Sequence, residues 1–453
     1  MLLVTPGFFR MALIVEQILT YGLVFLICGS IVWVYLRKHK KQTQETLKKV
    51  AIAKEEGLHE PVSLHPYIDL NTCIGSAACI ADCPEKDIMG MVDGKVTVVN
   101  ASECVGHGAC FHACPVEAIS LRIGTEKRGV DLPHVSESFE TNMKGIYIAG
   151  ELGGMGLIKN SVEQGQMAME NIIKSDKPKK EGVLDAVIVG AGPAGISATL
   201  TAKKHGIKTV TLEQESLGGT VYTYPRAKVV MTSPMDLPLY GKVKLRTTNK
   251  DELLQVWNDA IAKNDVSIRE NTKVDSIIPM PDGTLKVKVA DSEDIITNHV
   301  LLATGRRGSP RKLNVPGEDK QKVAYRCLEP EQISGKNIVV VGGGDSAVES
   351  AMLLMMDNEV LLSYRKDKFS RLKPKNRDKI LAAIEEGKLE MSYNSNVVSI
   401  DDDHILLKEG ENTRKVENDL IYIFAGGELP SKFLQAAGVQ ITRRFGHIMK
   451  KHH

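Results

Sequence analysis

Six of the chain's eight cysteines lie in one window, Cys73 to Cys114. They form two runs, CIGSAACIADCP from Cys73 and CVGHGACFHACP from Cys104. Cys73/Cys104, Cys79/Cys110 and Cys83/Cys114 recur at a single offset of 31 residues, and repetition at one fixed offset marks a duplicated unit. Gathered thiols bind metals or clusters once ionised, because the thiolate is the ligand. Zinc fits poorly, since the familiar paired C-x2-C spacing is absent. Disulfides fit poorly in a cytoplasmic domain. Cys28 and Cys327 stand apart and read as small apolar residues.

The two runs resemble the bacterial two-cluster ferredoxins, whose pattern is C-x2-C-x2-C-x3-C-P. The resemblance implies iron–sulfur clusters, with Cys73, Cys79 and Cys114 on one and Cys104, Cys110 and Cys83 on the other. The second Cys of each run is missing, and Ser76 and His107 stand there instead. Three thiolates per site suit a [3Fe-4S] cluster, or a [4Fe-4S] cluster whose fourth iron takes a hydroxyl, imidazole or solvent. His107 is a candidate ligand or an ordinary loop histidine, and Ser76 a spectator. Non-thiolate ligation raises the reduction potential.

A second kind of chemistry is written in glycine. DAVIVGAGPAG, from Asp185, carries an apolar strand into Gly190, Gly192, Pro193, Ala194 and Gly195, followed by a helical pattern. Such a turn lets a pyrophosphate approach the backbone at a helix N-terminus. Glu213 ends the next strand 18 residues after Gly195, placed to bond an adenosine ribose. NIVVVGGGDSA, from Asn337, repeats the device with Gly342, Gly344, Asp345 and Ala347. Its following strand runs into Arg365 and Lys366, with Arg371 close behind. That cationic group favours a 2′-phosphate, hence NADPH over NADH, unless it is simply a solvated basic loop.

Two such folds in tandem resemble the thioredoxin-reductase-like flavoprotein reductases over about residues 130–453. The resemblance implies FAD on the first turn, with Gly219 and Gly305 also contributing, and NADPH on the second. That family closes its FAD fold with a C-terminal T-x-x-x-G-[IV]-[YF]-x-x-G-[DE] element. Here the match lies upstream, in Thr141-NMKGIYIAGE ending at Gly150 and Glu151, as if the domain were circularly permuted. The rival reading makes 130–173 a glycine-rich tail of the cysteine module. The resemblance implies that Glu151 bonds the FAD ribityl or pyrophosphate region. The thioredoxin reductases' C-x-x-C is absent, leaving Cys327 alone. Ala194 occupies the first-turn position where the bacillithiol-disulfide reductase-like group has a Cys.

These sites need elements to carry them. Ile18 to Leu36 holds no charge and Arg37 to Lys41 follows at once. At ~1.5 Å per residue the run matches a bilayer core. A transmembrane helix is therefore expected within 12–36, with 37–453 cytoplasmic by the positive-inside rule. A cleaved signal peptide would carry its basic residues before the apolar run. A polar linker helix is expected over 37–63, a ferredoxin-like domain over 64–124, an FAD domain over 125–310 and an NAD(P)H domain over 311–453. The fold class is α/β, with two Rossmann-like domains, a small α+β Fe–S domain and one transmembrane helix.

Lys and Arg total 58 against 56 Asp and Glu, which gives no basis for binding nucleic acid. The expected function is a membrane-anchored NADPH-dependent flavin/iron–sulfur oxidoreductase. It would pass electrons to a one-electron acceptor such as a ferredoxin, a cytochrome or a quinone, and a homodimer is allowed. Its rivals are a disulfide reductase and a membrane-tethered redox sensor without turnover. No catalytic side chain is singled out.

Overall fold

The computed structural model describes residues 6–451, apart from 56–57, 62, 86, 105, 155, 176–179, 225–229, 246, 307–309, 370–371 and 428–429. One helix, α1, runs unbroken from Pro6 to Glu55. From Glu16 it is long and apolar enough to cross a membrane, with a mean hydropathy of 2.1 in its most apolar window, none of which is buried. The apolar span and the polar helix expected after Leu36 are one continuous helix. Residues 37–55 are mostly Lys, Gln, Glu, Ala and Leu, good helix formers that carry the apolar segment's helix onward. Nor is this stretch only a solvated linker, because Thr43, Thr46 and Ala53 are buried.

They are buried against the cysteine module. Its strand β1 (Leu64–Ile68) and hairpin β2 (Met89–Val92) and β3 (Lys95–Val98) precede β4 (Ile119–Ile123). β1 and β4 pair antiparallel, Leu64 opposite Ile123 and Ile68 opposite Ile119. Leu64, Ile88, Val96, Phe111, Ile119 and Leu121 form a small core around the cysteines.

After β5 (Val130–Pro133) come the parallel strands of a mixed sheet and the helices that cover it: β6 (Ile146–Ile148), helix α2 (Ile158–Lys174), β7 (Leu184–Val189), helix α3 (Pro193–Lys204), β8 (Thr209–Leu212) and β9 (Ile295–Leu302). β7 lies between β8 and β9, all parallel. Its Ala186 to Val189 are buried, as expected for a central strand covered on both faces. β6 joins the other side of β9, parallel, with Ile146 opposite Val300 and Ile148 opposite Leu302. Residues 130–173 thus reach this sheet through β6, while β5 lies beside the cysteine module.

A second parallel sheet contains β10 (Asn337–Val341), helix α4 (Asp345–Leu354), β11 (Glu359–Tyr364) and β12 (Leu420–Ile423). The sequence assigns everything from 311 to 453 to this domain, with His447 in a basic tail. The structure differs. Leu434, Ala437 and Val439 pack into the first sheet's core beside Ile146 and Val187. β13 (Ile441–Arg444) pairs with β5, and β14 (His447–Lys450) pairs with β4 of the cysteine module. The physical reason is apolar: Met449 fills the seam between Ile123, Val130 and Leu132, which composition alone does not reveal.

Candidate functional site

The thiols fall into two sets. Cys73, Cys79 and Cys114 line one pocket together with Ser76, Ile68 and Ile119. Cys104 and Cys110 stand close enough to Cys83 for each to resist ionisation beside the others. Burial pushes the Cys104 thiol up to about 11 and Cys110 up to about 12. Cys79 and Cys83 are raised for the same reason. Apolar packing of thiols at this density disfavours thiolates unless a metal cation offsets the charge, and a coordinating thiol is deprotonated outright. Backbone N–H groups of Gly106 and Ala118 already donate to the Cys104 and Cys114 sulfurs at 3.4 and 3.3 Å.

His107 adds a sign of a missing partner. Both ring nitrogens are buried and make no hydrogen bond, a cost a buried polar group rarely bears. Burial lowers its pKa, which keeps the imidazole neutral, the form that binds metals. Among the described residues no three His, Cys, Asp or Glu side chains converge as around a single ion. The donor set, one trio of thiols lining a pocket and a second trio of neighbouring buried thiols, fits iron–sulfur clusters.

The first glycine turn is built by close backbone contacts. A Cβ on Gly195 would stand 1.8 Å from the Gly190 carbonyl oxygen, and Gly190 itself has φ +104. Beside Gly192 nothing lies within 4 Å of a Cβ position, leaving the open face a pyrophosphate needs. Pro193 opens α3 at its N-terminus, and Ala194 is buried. Gly219 packs on this turn, 3.3 Å from the Gly192 Cα when given a Cβ. Gly305 follows β9 at φ +67. Glu213 is buried and accepts from the Ala191 and Glu215 N–H groups at 2.7 and 3.0 Å. Burial raises its pKa.

The upstream segment meets the same turn. The Gly150 N–H donates to Gln164 Oε1 at 2.8 Å, and a Cβ there would lie 3.1 Å from the Ala194 Cβ. Glu151 begins the short turn Glu151–Gly153. Gln164, Gly165 and Arg306 escape sequence reasoning. Arg306 is partly buried, which lowers its pKa, while the nearby Glu151 and Asp131 carboxylates oppose that shift. Only an expected pairing of 130–173 with the glycine turn could have pointed to them.

At the second turn a Cβ on Gly342 (φ +142) would stand 2.7 Å from the Phe424 carbonyl oxygen, and Ala347 fills the space beneath. Gly344 caps α4 with nothing near its Cβ position. Asp345 opens α4, and its Oδ1 accepts from the Lys373 N–H and the Asn376 side chain at 3.0 and 2.8 Å. Arg365 and Lys366 are exposed just past β11. Arg371 lies outside the described residues. Cys327 is buried and its thiol is pushed up to about 11. Arg326 donates from both terminal guanidinium nitrogens to the two Glu215 carboxylate oxygens, tying the second nucleotide domain to the first.

The pyridine nucleotide-disulphide oxidoreductase family profile matches residues 187–451, and a 4Fe-4S dicluster domain matches 65–115. A bacilliredoxin reductase of Bacillus subtilis is 26% identical over 268 residues, 58% of this chain and 82% of that protein. A ferredoxin–NADP reductase of Ignicoccus hospitalis is 30% identical over 187 residues, 41% of this chain and 57% of that protein. The structure of a bacillithiol disulfide reductase from Bacillus cereus superposes with a TM-score of 0.50 at 23% identity, covering 59% of this chain and 85% of its own. That likeness concerns the fold.

Proposed function

The chain belongs to the pyridine nucleotide-disulphide oxidoreductase family, and from that premise we propose that it is a membrane-anchored NADPH oxidoreductase delivering electrons singly to an acceptor. It is a flavin-dependent pyridine nucleotide oxidoreductase with a 4Fe-4S domain. When bound, FAD takes a hydride as two electrons and releases them one at a time, which one-electron clusters require.

The residues divide the work. Gly190, Gly192 and Gly195 would hold the FAD pyrophosphate at the N-terminus of α3, and Glu213 its ribose. Gly150 and Glu151 would close the flavin site as a permuted element. Gly342, Gly344 and Ala347 would hold the second nucleotide, and Arg365 and Lys366 its 2′-phosphate. Cys73, Cys79 and Cys114 would hold one cluster, and Cys83, Cys104 and Cys110 the other. Residues 16–36 of α1 would span the bilayer, with Arg37 to Lys41 on the cytoplasmic side.

One observation carries the reading. Gly154, directly after the Glu151–Gly153 turn, packs on Ile123 of the cysteine module, 3.6 Å from its Cδ1 when given a Cβ. The loop after Gly150 thus meets the module that carries the thiols, while among the described residues Ala194 and the buried Cys327 offer no thiol relay beside the glycine turn. NADPH oxidation by the purified holoenzyme is expected with cytochrome c or ferricyanide and not with aromatic disulfides. Disulfide turnover alone would contradict the reading.

A further inference from the structure

The geometry points to an order for the two thiol sites. The Cys83/Cys104/Cys110 site, with His107, is the inner one against the flavin loop. The Cys73/Cys79/Cys114 site, with Ser76, is the outer one, where electrons leave for a quinone held in the membrane. This rests on the membrane-anchored reductase proposed above.

The β1–β4 pair has two ends. At the Leu64/Ile123 end, a Cβ on Gly106 would meet the Leu64 Cβ at 2.9 Å, and the Ser63 hydroxyl donates to the Cys104 carbonyl at 3.3 Å. Ile123 at this same end meets Gly154 and Met449. The inner site therefore sits on the flavin side. The pocket of Cys73, Cys79 and Cys114 takes its walls from Ile68 and Ile119, the opposite end.

The β2–β3 hairpin then relates both ends to α1. Lys49 pairs with Asp87, Thr46 packs on Gly90, Thr43 Oγ1 accepts from the Asp93 N–H at 3.1 Å, and His39 stands beside Gly94. The hairpin thus climbs α1 toward the apolar span as it nears its turn. Gly75 of the outer site rests on that turn, where a Cβ would lie 1.9 Å from the Gly94 carbonyl oxygen. By contrast Leu58, past the far end of α1, bonds Ser102, two residues before Cys104. From His39 to Ala53 the helix rises ~20 Å, and His39 is three residues beyond the uncharged run.

The outer site is thus level with the membrane edge and the inner site lies deeper in the cytoplasm. Leu70 and Ile74, flanking Cys73, are 53% and 64% exposed. An aliphatic pair at headgroup depth suits an apolar acceptor rather than a charged soluble carrier. The overall step balances as NADPH, a proton and quinone giving NADP⁺ and quinol. The hydride's two electrons reach the quinone one at a time, with two protons.

Ser76→Cys and His107→Cys each add a thiol at one site and so mark that site's EPR signal without removing it. The full chain would be placed in phosphatidylethanolamine/phosphatidylglycerol vesicles containing a nickel-chelating lipid. Several-fold faster relaxation is expected for the signal marked by Ser76→Cys, with little change in that marked by His107→Cys. In Cys79→Ala, NADPH should still reduce the inner signal, while reduction of a long-chain quinone in the vesicles falls at least tenfold. Faster relaxation at the His107-marked signal, or wild-type quinone reduction in Cys79→Ala, overturns the order. Rapid reduction of a soluble ferredoxin with no quinone reduction overturns the acceptor. If NADPH reduces neither signal in the wild type while dithionite reduces both, the underlying reductase reading fails instead.

Discussion

A Cβ on Gly165 would stand 2.1 Å from the carbonyl oxygen of Ala194. This contact locks α2, from the segment before the glycine turn, onto the first turn of α3. Neither backbone can retreat easily, so Gly165→Ala should overpack the crossing at a cost of about 1–3 kcal/mol and release FAD. Gly153→Ala, whose nearest neighbour would be Ile148 Cγ2 at 3.9 Å, should be tolerated. Denaturation curves and the ratio of flavin to protein absorbance read both outcomes.

Glu213 links stability to pH. Burial raises its pKa above the ordinary 4.5, so in that window the native state binds the proton more tightly than the unfolded chain. The contribution of Glu213 to stability is therefore fully present below about 4.5 and is lost as pH rises through the raised value. In Glu213→Gln this contribution should vanish and the stability–pH curve flatten above 4.5. Its FAD affinity should fall ~10–100-fold, as expected for a lost charged hydrogen bond. Urea titrations at stepped pH and FAD titration measure the two effects.

Cys327 should be chemically quiet. With its thiol at about 11, about one molecule in a thousand is ionised at pH 8, and the thiolate is the reactive form. Iodoacetamide should label Cys327 only after unfolding, and Cys327→Ser should keep its NADPH oxidation rate. Fast labelling of the native holoenzyme, or lost turnover, would favour a thiol relay.

Arg365→Ala should separate the two nicotinamide cofactors. If its guanidinium meets the 2′-phosphate, KM for NADPH should rise ~10-fold or more, in line with a charged hydrogen bond, and KM for NADH should hardly move. Equal changes for both would place Arg365 in a solvated loop.

Local chemistry was legible in the chain: the 31-residue cysteine repeat, both glycine turns, Glu213 and the apolar run of α1. Each depends on a short pattern, so a few residues carry the signal. What escaped depends on distant partners. β14 reads as a basic tail because it becomes a strand only by pairing with β4 and packing Met449 against Ile123 and Leu132, partners some three hundred residues away. The docking of α1 rests on two threonines, and the Gly165 contact on a residue far from the motif it supports. The hydrogen bonds from Lys373 and Asn376 to the Asp345 carboxylate likewise come from residues some thirty positions away.

Reducing equivalents from NADPH should reach the thiol-bound clusters. Anaerobic titration of the purified holoenzyme with NADPH, followed by visible absorbance and EPR in the same samples, decides the point. Flavin bleaching accompanied by a change in the cluster signal is the expected result. Bleaching with the cluster signal unchanged would contradict it.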